Sequence, residues 1–141
     1  MNTPEHRAVN PAELARPSGF SHAVRSAPGT TVHLAGQTAL NADGVIVGDT
    51  VVEQFERALG NLLAALRASG GSPGDLVTMT VYIVDIPDYR RHAREIGGVW
   101  KRLVGAWYPA MAAIGVAALW DPEAMVEVQA TAVISADTTG F

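Results

Sequence analysis

The chain has 141 residues, which on length alone indicates a single domain. Hydrophobic residues make up 48% of it and charged residues 17%, so it has enough apolar side chains to fill a core. It contains no cysteine, which excludes disulfides, thiolate nucleophiles, and zinc or iron–sulfur sites with sulfur ligands.

The sequence disfavours membranes and nucleic acids as partners. No apolar run reaches the roughly 18 residues of a membrane helix, and residues 1–14 lack the basic-then-apolar pattern of a secretory signal. We therefore expect a cytoplasmic protein. The net charge is −4, whereas proteins that bind a phosphate backbone carry a basic patch. The one candidate patch, residues 88–102, is interrupted by Asp88 and Glu95, which indicates a solvated helix face.

The first predicted elements are strands. Residues 6–11 suit a short edge strand, and residues 22–36 read as a strand, a turn and a second strand. Pairing of these two strands would bring His22 close to His33. Neither histidine has a metal-ligand spacing or a nearby carboxylate, so we predict no metal. A turn follows, with Asp43 and Gly44 at its tip.

A helix and a central strand come next. Thr50 is the predicted N-cap, and Glu53 three residues later completes a capping box. Apolar residues then recur every three or four positions, at Val52, Phe55, Leu59, Leu62, Leu63 and Leu66. Residues 69–75 end the helix with glycine and proline. Residues 76–84 predict a strand that alternates between apolar side chains and threonine or tyrosine.

The last third predicts one more helix and two strands. Pro87 suits the first turn of the helix, and His92 falls on its apolar stripe, as a packed and hydrogen-bonded core histidine. A charge-free, buried strand begins at Ala110. The final strand, residues 125–134, turns Val126, Val128 and Ala130 to one face and Glu127, Gln129 and Thr131 to the other.

These elements predict an α+β fold, a mixed sheet with two helices on one face. The residues of the other sheet face are mostly small, hydroxyl-bearing or aromatic, so that face also needs burial. A domain of this size cannot cover both faces by itself, and we therefore expect a homo-oligomer.

Glu127 is the most informative single residue. It lies mid-strand between two valines, and a carboxylate buried there needs a partner or a raised pKa. Such groups concentrate at functional sites. The alternative is a structural role, with Glu127 in solvent at a sheet edge or paired with Arg16 or Arg25. Composition alone favours neither.

Six segments, residues 10–24, 33–37, 53–66, 77–89, 108–119 and 125–133, together resemble the Rid family of reactive intermediate deaminases, also called YjgF-like proteins. The resemblance identifies residues 1–135 as one Rid-type domain and residues 136–141 as a C-terminal tail. It implies a chorismate-mutase-like fold and a homotrimer whose sheets line a barrel. It also implies small-molecule clefts between subunits, in which reactive imines and enamines such as 2-aminoacrylate are hydrolysed without a metal or other cofactor.

Part of the family's cleft is matched in this chain. Glu127 stands at the position of the glutamate that orients the attacking water. Ser21, Gly36 and Gln37 match positions that line the cleft. The resemblance therefore implies a catalytic role for Glu127 and substrate contacts for the other three residues.

Other cleft positions depart from the pattern. Phe20 replaces a tyrosine, and Ala93 replaces an asparagine that active members often have. Met111, followed by Ala112, occupies the place of the arginine in a P-A-R-[ST] motif that holds the substrate carboxylate. Arg16 lies near Phe20 in the sequence and would be an alternative source of charge.

Met111 decides which substrates are expected. A bidentate arginine–carboxylate pair contributes roughly 1.5–3 kcal/mol, so its absence weakens binding of a small 2-imino acid by about 10–100-fold. We expect a hydrolase or deaminase for a larger or uncharged imine, enamine or related molecule, and poor turnover of 2-aminoacrylate. The alternative is a non-catalytic small-molecule binding or protective protein on the same scaffold. The acidic net charge disfavours a ribonuclease.

Overall fold

A computed structural model describes residues 5–136 and has the predicted α+β architecture. Two short strands pair with each other, and four longer strands form a mixed sheet in the order β3-β6-β4-β5. In chain order the elements are β1 (Arg7–Val9), β2 (Ala23–Arg25), β3 (Gly29–Gln37), α1 (Val51–Ala68), β4 (Leu76–Ile83), α2 (Ile86–Arg91), α3 (Ala93–Leu103), β5 (Ala110–Gly115) and β6 (Val126–Ser135).

The pairing of β2 with β3, which the sequence predicted, is wrong. β2 pairs with β1, and β3 pairs with β6. One reason is His6, which holds the N-terminal segment in place. Its Nδ1 accepts a hydrogen bond from Ala27 N–H at 3.0 Å, and its Nε2 lies 2.6 Å from Val133 O. His22 and His33 are therefore not cross-strand neighbours. Within residues 5–136, no cluster of three or more His, Asp and Glu side chains could hold a metal ion.

Helix α1 begins as predicted, with one difference in its cap. Glu53 N–H donates to Thr50 Oγ1 at 3.2 Å. The Glu53 carboxylate, however, accepts from Asp49 N–H at 3.2 Å and not from Thr50, so the reciprocal half of the capping box is displaced by one residue. The helix ends at Ala68 with Ser69 as its C-cap, and Gly70 follows with a φ of +92°, a conformation that favours glycine.

Gln54 links α1 to the start of β6. It is 1% exposed, and its Nε2 donates to Gly48 O and Glu123 O, both at 3.1 Å. Its Oε1 accepts from Met125 N–H at 2.8 Å. One buried side chain therefore bonds three backbone groups, and it connects the loop before β6 to α1.

β4 lies inside the sheet, and its predicted alternation is confirmed from Thr78 onward. Met79, Val81 and Ile83 are buried under the helices, whereas Thr78, Thr80 and Tyr82 lie on the uncovered face. At the start of the strand the pairing with β6 shifts register, and Leu76 instead of Val77 packs in this core. The neighbouring strands continue that uncovered face with His33, Ala112, Ile114, Glu127, Gln129 and Thr131. Among the described strands, Glu127 is the one acidic side chain on this face.

The second predicted helix is divided in two at His92, which is not the core residue that the sequence predicted. The ring is partly exposed and its Nδ1 lies 2.9 Å from Asp88 O. His92 N–H instead donates to Tyr89 O at 3.1 Å. Because the ring binds the carbonyl that a continuous helix would offer to the His92 N–H, α2 stops at Arg91 and α3 begins at Ala93.

β5 also differs from the prediction. It was expected to be buried, but it is the parallel edge strand beside β4, and its last four residues are exposed in the single chain. No helix in residues 5–136 is long and apolar enough to cross a membrane. The predicted tail lies outside the described residues apart from Ala136, whose N–H donates to Pro28 O at 2.8 Å.

We predict that Gln54→Leu lowers the free energy of unfolding by about 2–4 kcal/mol, because it leaves Met125 N–H and two carbonyls without their partner. The measurement is urea denaturation at fixed protein concentration. Arg57→Leu on the exposed side of α1 is the control and should change the value by less than about 0.5 kcal/mol. Equal effects of the two substitutions would contradict a structural role for the Gln54 amide.

Candidate functional site

Glu127, Gly36 and Gln37 lie together where β3 leaves its regular pairing with β6. Leu34 pairs with Ala130, but the next pair is Gln37 with Val128, so Gly36 lies in a bulge. The Glu127 carboxylate occupies the space above Gly36. A Cβ atom at position 36 would overlap Glu127 Oε1 and lie 3.0 Å from Glu127 Cδ. We call these three residues the carboxylate half of the candidate site.

Asn61 of α1 fixes the end of the strand that carries Gly36 and Gln37. Its Nδ2 donates to Thr38 O at 3.1 Å and to Leu40 O at 2.8 Å. Because Gln54 lies two turns earlier on the same helix, one helix face holds both strand ends of the carboxylate half.

The Glu127 carboxylate is partly exposed on the uncovered sheet face. Within residues 5–136 it forms no salt bridge, so neither Arg16 nor Arg25 is its partner. Tyr82 stands opposite on β4, and the Tyr82 hydroxyl donates to Gln129 Oε1 at 3.1 Å. The carboxylate therefore keeps its oxygens available for a water or a ligand.

A second group of residues forms around the N-terminal segment at the edge of β5. Ser21 N–H donates to Pro109 O at 3.0 Å, and its hydroxyl donates to Tyr108 O at 2.6 Å. Ser21 is buried and pairs with Ala110 as an isolated bridge. Its hydroxyl thus anchors the chain and sets Phe20 beside Met111.

A groove of about 660 Å³ lies between this edge and α3. We call it the α3 groove; its lining includes Phe20, Ala93, Gly98, Trp100, Tyr108 and Met111. The rings of Trp100 and Tyr108 stack with centroids 5.9 Å apart. Tyr89 also lines the groove, and burial raises the pKa of Tyr89 to about 12, so its hydroxyl stays protonated and able to donate at neutral pH.

The carboxylate half and the α3 groove face opposite sides of the sheet. Met111 is in register with buried Met79, on the side that the helices cover, whereas Glu127 is in register with Tyr82 on the uncovered side. Glu127 lies two strands and three residues from Met111. Their Cα atoms are therefore roughly 14 Å apart, from a strand spacing of about 4.8 Å and a rise of about 3.3 Å per residue.

Known proteins place this chain in a family. The protein-family model described as Endoribonuclease L-PSP matches residues 11–134. A goat (Capra hircus) protein named 2-iminobutanoate/2-iminopropanoate deaminase is 34% identical over 110 residues, 77% of each chain. Protein DfrA of Myxococcus xanthus is 32% identical over 94% of this chain and 99% of its own.

A solved structure agrees. YyfB from Yersinia pestis, described as a protein of unknown function of the conserved Rid protein family, superimposes with a TM-score of 0.83 at 37% identity. The match covers 93% of this chain and all of the other. The chain belongs to the Rid family. Its chorismate-mutase-like α+β fold is therefore the Rid fold that the sequence predicted.

The residues that the resemblance singled out fall into two groups in space. Glu127, Gly36 and Gln37 form the carboxylate half. Phe20, Ala93 and Met111 line the α3 groove, and Ser21 lies beside Phe20 at the edge of β5. The side chains of Phe20, Ala93 and Met111 carry no charge and no hydrogen-bond donor, so this part of the groove is apolar.

Arg16, the predicted alternative source of charge, lies elsewhere: it is exposed and is not part of the α3 groove lining. Trp107, which precedes β5, donates from its Nε1 to Leu76 O at 2.8 Å and is likewise outside the lining. Ala112 does line the groove, and also borders a shallow hollow next to Ser21.

Sequence reasoning missed the part of the groove that α3 provides. Arg94 and Lys101 belong to the stretch that the sequence predicts as a solvated helix face, yet both line the groove together with Trp100 and Tyr108. The seven-residue spacing predicts that Arg94 and Lys101 share a helix face. It could not have shown that β5 lies opposite.

Proposed function

We propose that this Rid protein hydrolyses a reactive imine or enamine to a carbonyl compound and ammonia. The observation that carries this proposal is the Glu127 carboxylate, which has no ionic partner in the described chain and lies against Gly36 at a strand bulge. The goat relative is named as an imine deaminase, which supports the same reaction class.

In the proposed reaction, water adds to the carbon of the C=N bond. The substrate reacts as the protonated iminium, and Glu127 accepts a proton from that water as the new C–O bond forms, which gives a neutral amino alcohol. Glu127 then passes this proton to the nitrogen, the C–N bond breaks and ammonia leaves, and Glu127 takes the hydroxyl proton as the carbonyl forms and releases it to solvent. An enamine first takes a proton on carbon to become the iminium. Backbone amides at the Gly36 bulge would stabilise developing negative charge.

We further propose that the cleft forms between subunits of a homotrimer. The carboxylate half and the α3 groove lie on opposite faces of one sheet, so a single chain cannot present both to one small ligand. A neighbouring copy that packs on the uncovered face would bring its own groove to the Glu127 side. That face has few charges, as an interface between copies requires.

The proposed substrate class follows from the side chains that line the α3 groove. Met111 provides no charge or hydrogen-bond donor, and Phe20 and Ala93 add none through their side chains. The groove therefore suits an imine or enamine with a large apolar part, and the protein is proposed to turn over 2-aminoacrylate poorly.

Glu127→Gln should reduce ammonia release from the best imine in a panel by about 100-fold or more, since the variant lacks the base. Gly36→Ala should reduce it by about 10–100-fold, because the added methyl displaces the carboxylate. Imines are generated in situ by amino acid oxidation, and carbonyl and ammonia are both quantified. Glu123→Gln, an exposed carboxylate on the loop before β6, is the matched control. Full activity in Glu127→Gln would exclude the proposed role.

Mixing two inactive variants tests the shared cleft. Glu127→Gln lacks the base, and Ala93→Trp fills the groove. In randomly mixed trimers, about a quarter of the clefts combine an intact groove with an intact Glu127, and activity should return to about that fraction. The two variants are refolded together and, as the control, separately. No recovery in verified mixed trimers would place the whole site within one subunit.

Restoring the arginine tests the substrate proposal. Met111→Arg should raise kcat/KM for 2-aminoacrylate by about 10–100-fold, the amount lost with a bidentate pair. Met111→Leu should leave it unchanged. A folded Met111→Arg protein with no gain would mean that Met111 does not determine the selection against small imino acids.

A non-catalytic binding protein is the second candidate, and the largely apolar α3 groove is the observation that favours it. Under this alternative, ligands bind in the groove and raise the melting temperature, but no compound of the imine panel is hydrolysed faster than in buffer.

A further inference from the structure

Helix α3 presents an unusual stripe to the groove. Arg94, Gly97, Gly98 and Lys101 all line it. Arg94 and Lys101 are seven residues apart, so they lie within about 20° of each other around the helix and about 10 Å apart along it. The stripe therefore has a cation at each end and two glycines between them.

The chain itself does not require these glycines. Neither has a positive φ, and a Cβ atom at Gly97 or Gly98 would meet nothing within 4 Å. Glycine is the least favourable helix residue after proline, so two in succession weaken α3 without any packing benefit inside the subunit. What they leave is open space on the groove side of the helix, wide enough for a ligand to approach the backbone.

The two cations are also free within the described chain. Arg91 pairs with Asp88, and Arg102 pairs with Glu56, but neither Arg94 nor Lys101 forms a salt bridge in residues 5–136. The described lining of the α3 groove contains no Asp or Glu. The groove thus combines an apolar floor with positive charge on one wall.

We propose that the α3 groove binds an amphipathic carboxylate. Its aromatic-sized apolar body lies over Gly97 and Gly98 against Met111, and its carboxylate pairs with Arg94 or Lys101. This inference rests on the proposed function, because it names the class of ligand that the same site takes: imino acids with a bulky apolar side chain, and their keto acid products.

The charge that recognises the ligand therefore comes from α3 and not from position 111 of β5. Both cations are exposed, so each contributes modestly and the contribution falls with added salt. The apolar body supplies the remaining affinity. A small imino acid has no such body, which is why it binds poorly here.

Three unreactive probes test this without any turnover: 3-phenylpropionate, its neutral amide 3-phenylpropanamide, and propionate. Isothermal titration calorimetry on the wild-type protein should give the tightest binding for 3-phenylpropionate. The amide should bind several-fold more weakly because it lacks the charge, and propionate should show no measurable binding because it lacks the ring.

Single substitutions test whether the probes bind in the α3 groove. Arg94→Gln and Lys101→Gln should each weaken 3-phenylpropionate by about two- to fivefold and leave the amide unchanged. Gly98→Ala should weaken both aromatic probes while raising the melting temperature, since alanine favours the helix. Gly60→Ala in α1 is the matched control, because a Cβ there also meets nothing within 4 Å but lies outside the groove. It should stabilise the protein without affecting binding.

Equal affinity for the acid and the amide would contradict the proposal that the ligand is anionic. Unchanged binding in a folded Gly98→Ala variant would contradict the proposal that the ligand lies in the α3 groove. Neither result bears on Glu127, whose role is tested by turnover alone. If the probes bind as expected but no imine is hydrolysed, the proposed enzymatic activity is excluded. The proposed ligand class then remains, as that of a non-catalytic binding protein.

Discussion

Two amide side chains on one face of α1 hold the part of the structure on which the carboxylate half depends. Gln54 bonds the loop that leads into β6, and Asn61 bonds the end of β3. Glu127 lies two residues after Met125, and Gly36 lies two residues before Thr38, so each is close to a backbone group that α1 holds. The contact between Glu127 and Gly36 is therefore positioned by the hydrogen bonds of Gln54 and Asn61, on the sheet face opposite Glu127. A carboxylate positioned in this way needs no ion pair, and its oxygens stay available for a ligand.

The two-residue period of the strands then separates the two parts of the site. Side chains that alternate along β4, β5 and β6 must point to opposite faces, so Met111 goes under the helices and Glu127 to the uncovered face. This separation follows from the register of the strands. A cleft that uses both residues requires a second subunit, and the fold thus links the proposed chemistry to assembly.

What the sequence predicted correctly rests on local periodicity. The alternation of β4, the Thr50 cap and the direction of Glu127 follow from neighbours within a few positions. What it predicted wrongly depends on competition between distant segments. β2 pairs with β1 because His6 reaches Val133, and α2 ends because a histidine ring takes a carbonyl. Two further features depend on tertiary structure: the edge position of β5 and the wall that α3 adds to the groove. The spacing of residues within one segment cannot predict either of them.

The binding free energies explain why the proposed ligand needs both the cations of α3 and the apolar part of the groove. An exposed cation contributes about 0.2–1 kcal/mol to binding a carboxylate, whereas the bidentate arginine of the Rid pattern contributes roughly 1.5–3 kcal/mol. Arg94 and Lys101 alone cannot replace that arginine for a three-carbon ligand. Burial of about 100 Å² of apolar surface adds about 2.5 kcal/mol, which offsets the difference. A phenyl-sized body over two glycines can bury that much, so the proposed preference for a bulkier imino acid over 2-aminoacrylate follows from the groove and requires no change in the carboxylate half.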